Sequence, residues 1–322
     1  MSPGVAEEAL ARTGRLVQPA LFDAVARLEP EIREPVEHHL AGGGKGVRGA
    51  LAVIGAAAAG GAERDGVPGA VAVELVHNYS LLHDDIIDND EERRHRPSVW
   101  SVFGVPRAIV AGDALANLAV QVLVEESALA RLRAVQLLGE ATALMIGGQA
   151  DDMAFERRFA VSVEECLKME EGKTGALLSC ASAIGAVLVG AGDDVVKALG
   201  LFGQRLGLAF QAVDDVLGIW GEPAKTGKPV GSDLLTHKKS LPVAIALARG
   251  GAALEAVLFG LDVGGVADAT ARIEATGAKE EAMAIADRAY DEALEALASV
   301  PLVQSARDDL VAIARFVTER DR

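Results

Sequence analysis

Residues 73–97 read VELVHNYSLLHDDIIDNDEERRHRP, and the fold and chemistry of the chain turn on how that stretch is read. Asp84, Asp85 and Asp88 follow Leu81 and Leu82 directly, at the end of an apolar pattern with helical period. On a helix, Asp84 and Asp88 lie one turn apart on the same face, with Asp85 beside them. Three carboxylates that close repel and shift one another's pKa, so the arrangement calls for a counter-ion. A hard divalent cation supplies it. Magnesium takes oxygen ligands, keeps several waters and typically bridges one or two carboxylates to substrate phosphates.

A second stretch repeats the pattern. Residues 207–221, GLAFQAVDDVLGIWG, place Asp214 and Asp215 directly after Ala212 and Val213. One Asp pair in an acidic protein is usually a solvated helix face. Two such clusters, each at the end of core-like helix, argue for a site instead. Basic residues recur beside glycines and acids: Gly43-Gly44-Lys45-Gly46-Val47-Arg48 is a flexible turn with two cations. Glycines let backbone amides approach an anion, and Lys and Arg hold its charge. Arg93 and Arg94 follow the first acids, Lys173 precedes an uncharged run, and Lys228, Lys238 and Lys239 flank Asp233 in KTGKPVGSDLLTHKKSLP. Each lysine alone reads as a surface charge. Together, acids for metal and cations for phosphate describe a site for diphosphate esters, open to phosphoryl transfer, diphosphate hydrolysis or carbon–oxygen ionisation.

Outward from these stretches, the chain reads as helix throughout. Residues 20–40 (ALFDAVARLEPEIREPVEHHL), 126–150 and 280–300 have apolar residues at three and four, and Gly and Pro fall mostly between such segments. No linker composition or fixed repeat interrupts the 322 residues, so a single all-α domain over 1–322 is expected. Hydrophobic residues at 50% and charged residues at 24% exclude a disordered chain. A net charge of −16 repels phosphate backbones and speaks against a nucleic-acid partner. Two cysteines, Cys166 and Cys180, make neither a disulfide framework nor a zinc site, which suits a reducing cytoplasm. The acidic N-terminus is unlike a secretory signal. The uncharged run 174–192 is rich in Gly, Ala and Ser, and is expected to be a helix buried among helices, with no stable membrane insertion.

The motifs GGGKGVRG, ELVHNYSLLHDDIID followed by RRHRPS, GDALA, GQADD, GKTGALLS, FQAVDD, and GKPVGSD followed by HKKSLP occur in that order between about Gly42 and Pro242. In that order they resemble the trans-polyprenyl diphosphate synthases. The resemblance implies the isoprenoid-synthase helical bundle around a central cavity, usually a homodimer. It implies magnesium on Asp84, Asp85, Asp88, Asp214 and Asp215, holding an allylic diphosphate whose C–O bond ionises. Arg93, Lys173 and Lys238 match the positions that grip this diphosphate, Thr174 and Gln211 match positions lining its site, and Lys228 matches a further diphosphate lysine. Isopentenyl diphosphate is expected on Lys45, Arg48, His77 and Arg94. A histidine on an apolar helix is ordinarily a core residue; His77 acquires a role only through the resemblance, and His83 acquires none.

Two positions depart from the family pattern. Gly218 stands where a third Asp commonly closes the second acid motif; the two leading acids remain and Asp233 is nearby, so metal binding is expected to survive with one fewer carboxylate in reach. Gly49 stands where Pro usually follows the Arg of the first basic motif, and is expected to loosen that loop. Chain length in this family depends on bulk below the first acids. Ser80 lies one turn beneath Asp84, and Tyr79, five residues before it, lies about 7.5 Å down the axis. A small residue there, an aromatic below and no insertion between Asp85 and Asp88 resemble geranylgeranyl-forming members, so a C20 product is expected. A terpene cyclase on the same fold needs no isopentenyl site, and a non-catalytic partner subunit tends to lose acids from the first motif. The complete basic set and the three intact acids favour elongation over both.

Overall fold

The computed structural model describes residues 3–158, 161–221, 231–236, 238–259 and 265–319. Among them the helices, in order, are α1 (Pro3–Val25), α2 (Pro30–Leu40), α3 (Val47–Ala58), α4 (Val67–Ile87), α5 (Val99–Phe103), α6 (Val105–Val124), α7 (Leu129–Glu156), α8 (Val163–Glu170), α9 (Ala176–Leu188), α10 (Asp193–Trp220), α11 (Ser232–Leu235), α12 (Leu241–Phe259), α13 (Gly265–Ala275), α14 (Ala278–Ala298) and α15 (Gln304–Thr318). A 3₁₀ turn, Glu63–Gly66, leads into α4, and a π turn, Glu171–Gly175, joins α8 to α9. The only strands among the described residues are β1 (Glu92–Arg93) and β2 (Arg96–Pro97). The fold is all-α, as expected.

Helix boundaries follow local chemistry. Proline opens α2, α4 and α6 within their first two positions, where its missing N–H would be unbonded anyway. Ser162 and Glu165 form a reciprocal capping box at α8. One expectation fails here: residues 20–40 are two helices, not one. Pro30 cannot donate to the carbonyl four residues back and drives Glu29 to ψ 146°, which ends α1 and starts α2 afresh.

The chain divides into two compact units, with boundaries that fall within or at the ends of helices rather than in linkers. The first comprises Met1–Thr142, Cys180–Gly200 and Ser299–Ile313. Its core is built on α3 and α4, where Leu51, Ile54, Leu75 and Leu82 are fully buried together with Leu115 and Leu118 of α6. Glycines bring backbones together there: a Cβ on Gly55 of α3 would lie 2.5 Å from the Ser182 carbonyl of α9. This accounts for the small-residue run 174–192, whose helix is buried nearly throughout. The second unit comprises Ala143–Ser179, Leu201–Ala298 and Ala314–Arg322. Its core gathers Cys166, Met169, Val216, Ile219, Leu241, Ile245, Ile273 and Ile285. Among the described residues one helix, Val105–Val124, is long and apolar enough to cross a membrane.

Candidate active site

In the first unit, α4 delivers its acids at its C-terminal end. Asp84 and Asp85 occupy the last turn, and Asp88 is the C-cap, its N–H bonded to the Asp84 carbonyl. Carboxylates at that end face the negative pole of the helix dipole, an arrangement that costs stability at each position. Asp85 is 1% exposed, and Arg93 Nε donates to its Oδ1 at 2.5 Å. Burial pushes the Asp85 carboxyl above its ordinary pKa, with Arg93 pulling it back. Its Oδ2 is buried with no hydrogen-bond partner among the described residues. A carboxylate oxygen so placed, beside Asp84 and the exposed Asp88, is the donor chemistry that magnesium prefers. Among the described residues no three His, Cys, Asp or Glu side chains converge in ligating geometry.

The chain then turns back in a hairpin that the sequence did not announce. Glu92 pairs with Pro97 and Arg93 with Arg96, around a two-residue turn in which Arg94 and His95 both have positive φ. The hairpin sends Arg93 to Asp85 and lays the Arg94 guanidinium against Gly44, where a Cβ would stand 3.1 Å from it. Arg48, in the first turn of α3, donates to Nε2 of His77 at 3.3 Å. Three of the four residues matched to the isopentenyl site are therefore neighbours, and Lys45 is exposed on the loop before them.

Burial holds the His77 pKa well below its ordinary value, with Arg48 and Arg94 adding to the effect, so the imidazole is neutral and accepts from Arg48. His39 follows the same logic: burial, then Arg94, lowers it to about 4, and its Nε2 bonds Oδ1 of Asn78 at 3.0 Å. The counter-charge to these cations is Glu74, which the sequence reading passed over. Burial raises the Glu74 pKa, opposed by the Gly49 N–H, Arg48 and Arg94. That N–H donates to Glu74 Oε1 at 2.7 Å. The expected loosening at Gly49 is thus not what the structure shows. Gly49 is a buried helical residue, and it makes a hydrogen bond that proline cannot make.

The second unit carries the other acids on the last turns of α10. Asp214 is exposed and Asp215 is 2% exposed. Asp215 Oδ1 accepts from Lys238 Nζ at 2.9 Å and from Gln211 Nε2 at 3.1 Å, and Oδ2 accepts from the Leu241 N–H at 2.8 Å. Thr174 Oγ1 donates to Gln211 Oε1 at 3.1 Å. Burial raises the Asp215 pKa, but Lys238 and these donors outweigh it, so the carboxylate stays ionised and Lys238 charged. Behind it lies Glu170, 2% exposed, whose pKa burial and the Asp215 charge drive well above the carboxylate range. Glu170 was also missed, because one more acid among the charged residues at the end of α8 carries no sequence signal of its own.

Gly218 is explained by its neighbour. A Cβ there would stand 2.3 Å from Oδ2 of Asp233, so the Asp233 carboxylate fills the space beside Gly218, 3.7 Å from Lys238 Nζ. The GQADD motif is explained too. Gly148 lets α7 touch the π turn, where a Cβ would lie 2.3 Å from the Lys173 nitrogen, and Asp152 accepts from Lys173 Nζ at 2.5 Å. Lys228 lies outside the described residues.

Acids at helix C-termini, a buried basic cluster and a π turn carrying Lys173 form one coherent set of motifs. The Polyprenyl synthetase family model matches residues 29–259. The chain belongs to the polyprenyl synthetase family. It is 41% identical to (2E,6E)-farnesyl diphosphate synthase of Mycobacterium tuberculosis over 325 residues, covering 95% of this chain and 90% of that protein. It is 43% identical to the geranylgeranyl diphosphate synthase of the same organism over 286 residues, covering 86% and 80%. Among solved structures, polyprenyl synthetase from Streptomyces coelicolor A3(2) superposes with a TM-score of 0.91 at 47% identity, covering 96% of this chain and 98% of that one. As a polyprenyl synthetase the protein is a prenyltransferase that elongates trans-prenyl diphosphates, and the cyclase alternative finds no support in these relatives.

Proposed function

We propose that this polyprenyl synthetase condenses isopentenyl diphosphate with an allylic diphosphate (dimethylallyl, geranyl or farnesyl) and yields all-trans geranylgeranyl diphosphate. The observation that carries the reading lies in the first unit. There α4 and the hairpin after it supply the carboxylates Asp84, Asp85 and Asp88 together with neutral His77 and the cation Arg94, and Arg48 at the start of α3 meets His77. Elongation needs both the acids and the cations, because one diphosphate must leave while another stays attached to its five-carbon unit.

In this reading Asp84, Asp85, Asp88, Asp214 and Asp215 hold magnesium, which when bound neutralises the departing diphosphate. Arg93, Lys173, Lys228 and Lys238 grip that diphosphate, with Thr174 and Gln211 beside it. The network Thr174–Gln211–Asp215–Lys238 fixes the lysine in place, and Asp152 does the same for Lys173. Lys45, Arg48 and Arg94 bind the isopentenyl diphosphate, and neutral His77 orients Arg48. The allylic C–O bond breaks, the isopentenyl double bond forms the new C–C bond, and the proton released from isopentenyl carbon passes to an oxygen of the free diphosphate.

The named relatives divide between farnesyl and geranylgeranyl products, so chain length rests on Tyr79 and Ser80 in this sequence. The same reading makes the protein one catalytic domain over 1–322 and a homodimer in the cytoplasm. Support for the dimer comes from exposed Val105, Ile109, Val120 and Val124 along one face of α6 and from Leu129 and Leu132 at the start of α7. Support for the compartment comes from Cys166 and Cys180, both free and buried.

The test is direct. Purified protein with magnesium, isopentenyl diphosphate and each allylic starter should release a C20 diphosphate, and Asp84→Ala should abolish turnover while circular dichroism stays helical. Consumption of an allylic diphosphate without any use of isopentenyl diphosphate would overturn the assignment.

A further inference from the structure

The GDALA motif on α6 and the histidine before the first acids have so far no role, and in the first unit they meet. His83 stands one helical turn beyond Tyr79 on α4. Its Nε2 lies 3.2 Å from the Ile109 carbonyl oxygen of α6, so the imidazole carries a proton on Nε2 and donates it there. The ring fits because residue 112 is glycine. A Cβ on Gly112 would stand 2.3 Å from His83 Nε2 and 2.6 Å from its Cδ2, closer than any packed side chain allows. On its other side the imidazole meets the Tyr79 ring edge-to-face, with centroids 4.9 Å apart and planes at 77°.

We infer that Gly112 and His83 set product length together with Tyr79: the notch at Gly112 seats His83, and seated His83 holds the Tyr79 ring at the end of the growing chain. The inference rests on the chain-length reading of Tyr79 given above and deepens it. The physical reason is rotameric. A tyrosine free at χ1 and χ2 yields when a longer chain presses on it, whereas one held on an imidazole that is itself bonded to a helix carbonyl does not. His83 is a positioning residue in this account, since it acts on the product only through Tyr79.

A histidine that merely packed α4 on α6 would, when replaced, lower stability and total rate without altering what is made. Product distribution therefore separates the two roles. The experiment sizes the products of Tyr79→Ala, His83→Ala and Gly112→Ala against the wild type, with the KM for isopentenyl diphosphate measured alongside. His83→Ala deletes atoms without a clash and keeps the test open if Gly112→Ala folds poorly. The expected result is a major product at least one five-carbon unit longer in His83→Ala and Gly112→Ala, with KM within about twofold of wild type. Lengthening in Tyr79→Ala alone, with His83→Ala and Gly112→Ala making the wild-type product, overturns the inference and leaves the chain-length reading standing. An unchanged product in all three overturns both.

Discussion

Gly218 and Asp233 show how a motif can lose a residue and keep its charge. The sequence shows that an expected aspartate is missing and that Asp233 follows nearby; that its carboxylate, from fifteen positions downstream, stands in the gap depends on how α11 returns beside α10, which no local pattern encodes. Restoring the missing residue should therefore harm the enzyme. Gly218→Asp drives a side chain into Asp233 beside Lys238 and should lower kcat by about tenfold or more, while Gly218→Asp combined with Asp233→Gly should recover much of it. A faster single variant in a steady-state condensation assay would refute this. Glu74 illustrates the opposite case, an acid that opens the ELVHNYSLLHDDIID motif without any local pattern that marks its role. It is legible only once α3 and α4 are packed and its oxygen is found on the Gly49 N–H among Arg48 and Arg94. Glu74→Gln keeps an acceptor for that N–H but removes the counter-charge. It should cost about 1–3 kcal/mol of stability by denaturant unfolding and raise the KM for isopentenyl diphosphate severalfold, with the allylic KM unmoved.

At the scale of elements, α4 was readable because its apolar period and its acids are local properties, and α9 because small uncharged residues have few other uses than close packing. The hairpin was not, since its turn is Arg94-His95 where an isolated hairpin would use Asn-Gly; positive φ at two ordinary residues is tolerated only where the surroundings fix them. The break at Pro30 was in the sequence and was outweighed by the flanking period. The acids at the C-terminal end of α4 are a cost of function. Asp88, exposed and at the C-cap, opposes the helix dipole and adds to the repulsion of Asp84 and Asp85. Asp88→Asn should raise the metal-free unfolding free energy by about 0.3–1 kcal/mol while sharply reducing turnover with magnesium. A variant that is less stable than wild type in chelator would show that Asp88 serves the fold.

For the whole molecule, two quantities follow from burial and exposure. The first is stability against pH. His39 titrates at about 4 instead of about 6.5, and burial also holds His77 well below that value, so between these limits the unfolded chain binds protons that the folded one refuses. Stability then rises with pH through that window, by up to about 3 kcal/mol for His39. Thermal midpoints should fall as pH is lowered from 7 towards 5, and His39→Asn should flatten the slope; an equally steep profile in the variant would remove His39 as the cause. The second quantity is assembly. A chain with net charge −16 leaves a run of large apolar side chains uncovered on α6 and at the start of α7. Val105, Ile109, Val120 and Val124 are spaced by four, eleven and four residues, which keeps them on one helical face, and Leu129 and Leu132 extend the patch with exposures of 75% and 62%. The homodimer proposed above covers this face with a copy of itself. Ile109→Asp with Val120→Asp should therefore halve the mass seen by sedimentation equilibrium and leave the helical spectrum intact. A wild-type monomer, or a variant that still sediments as a dimer, would require another partner for that face.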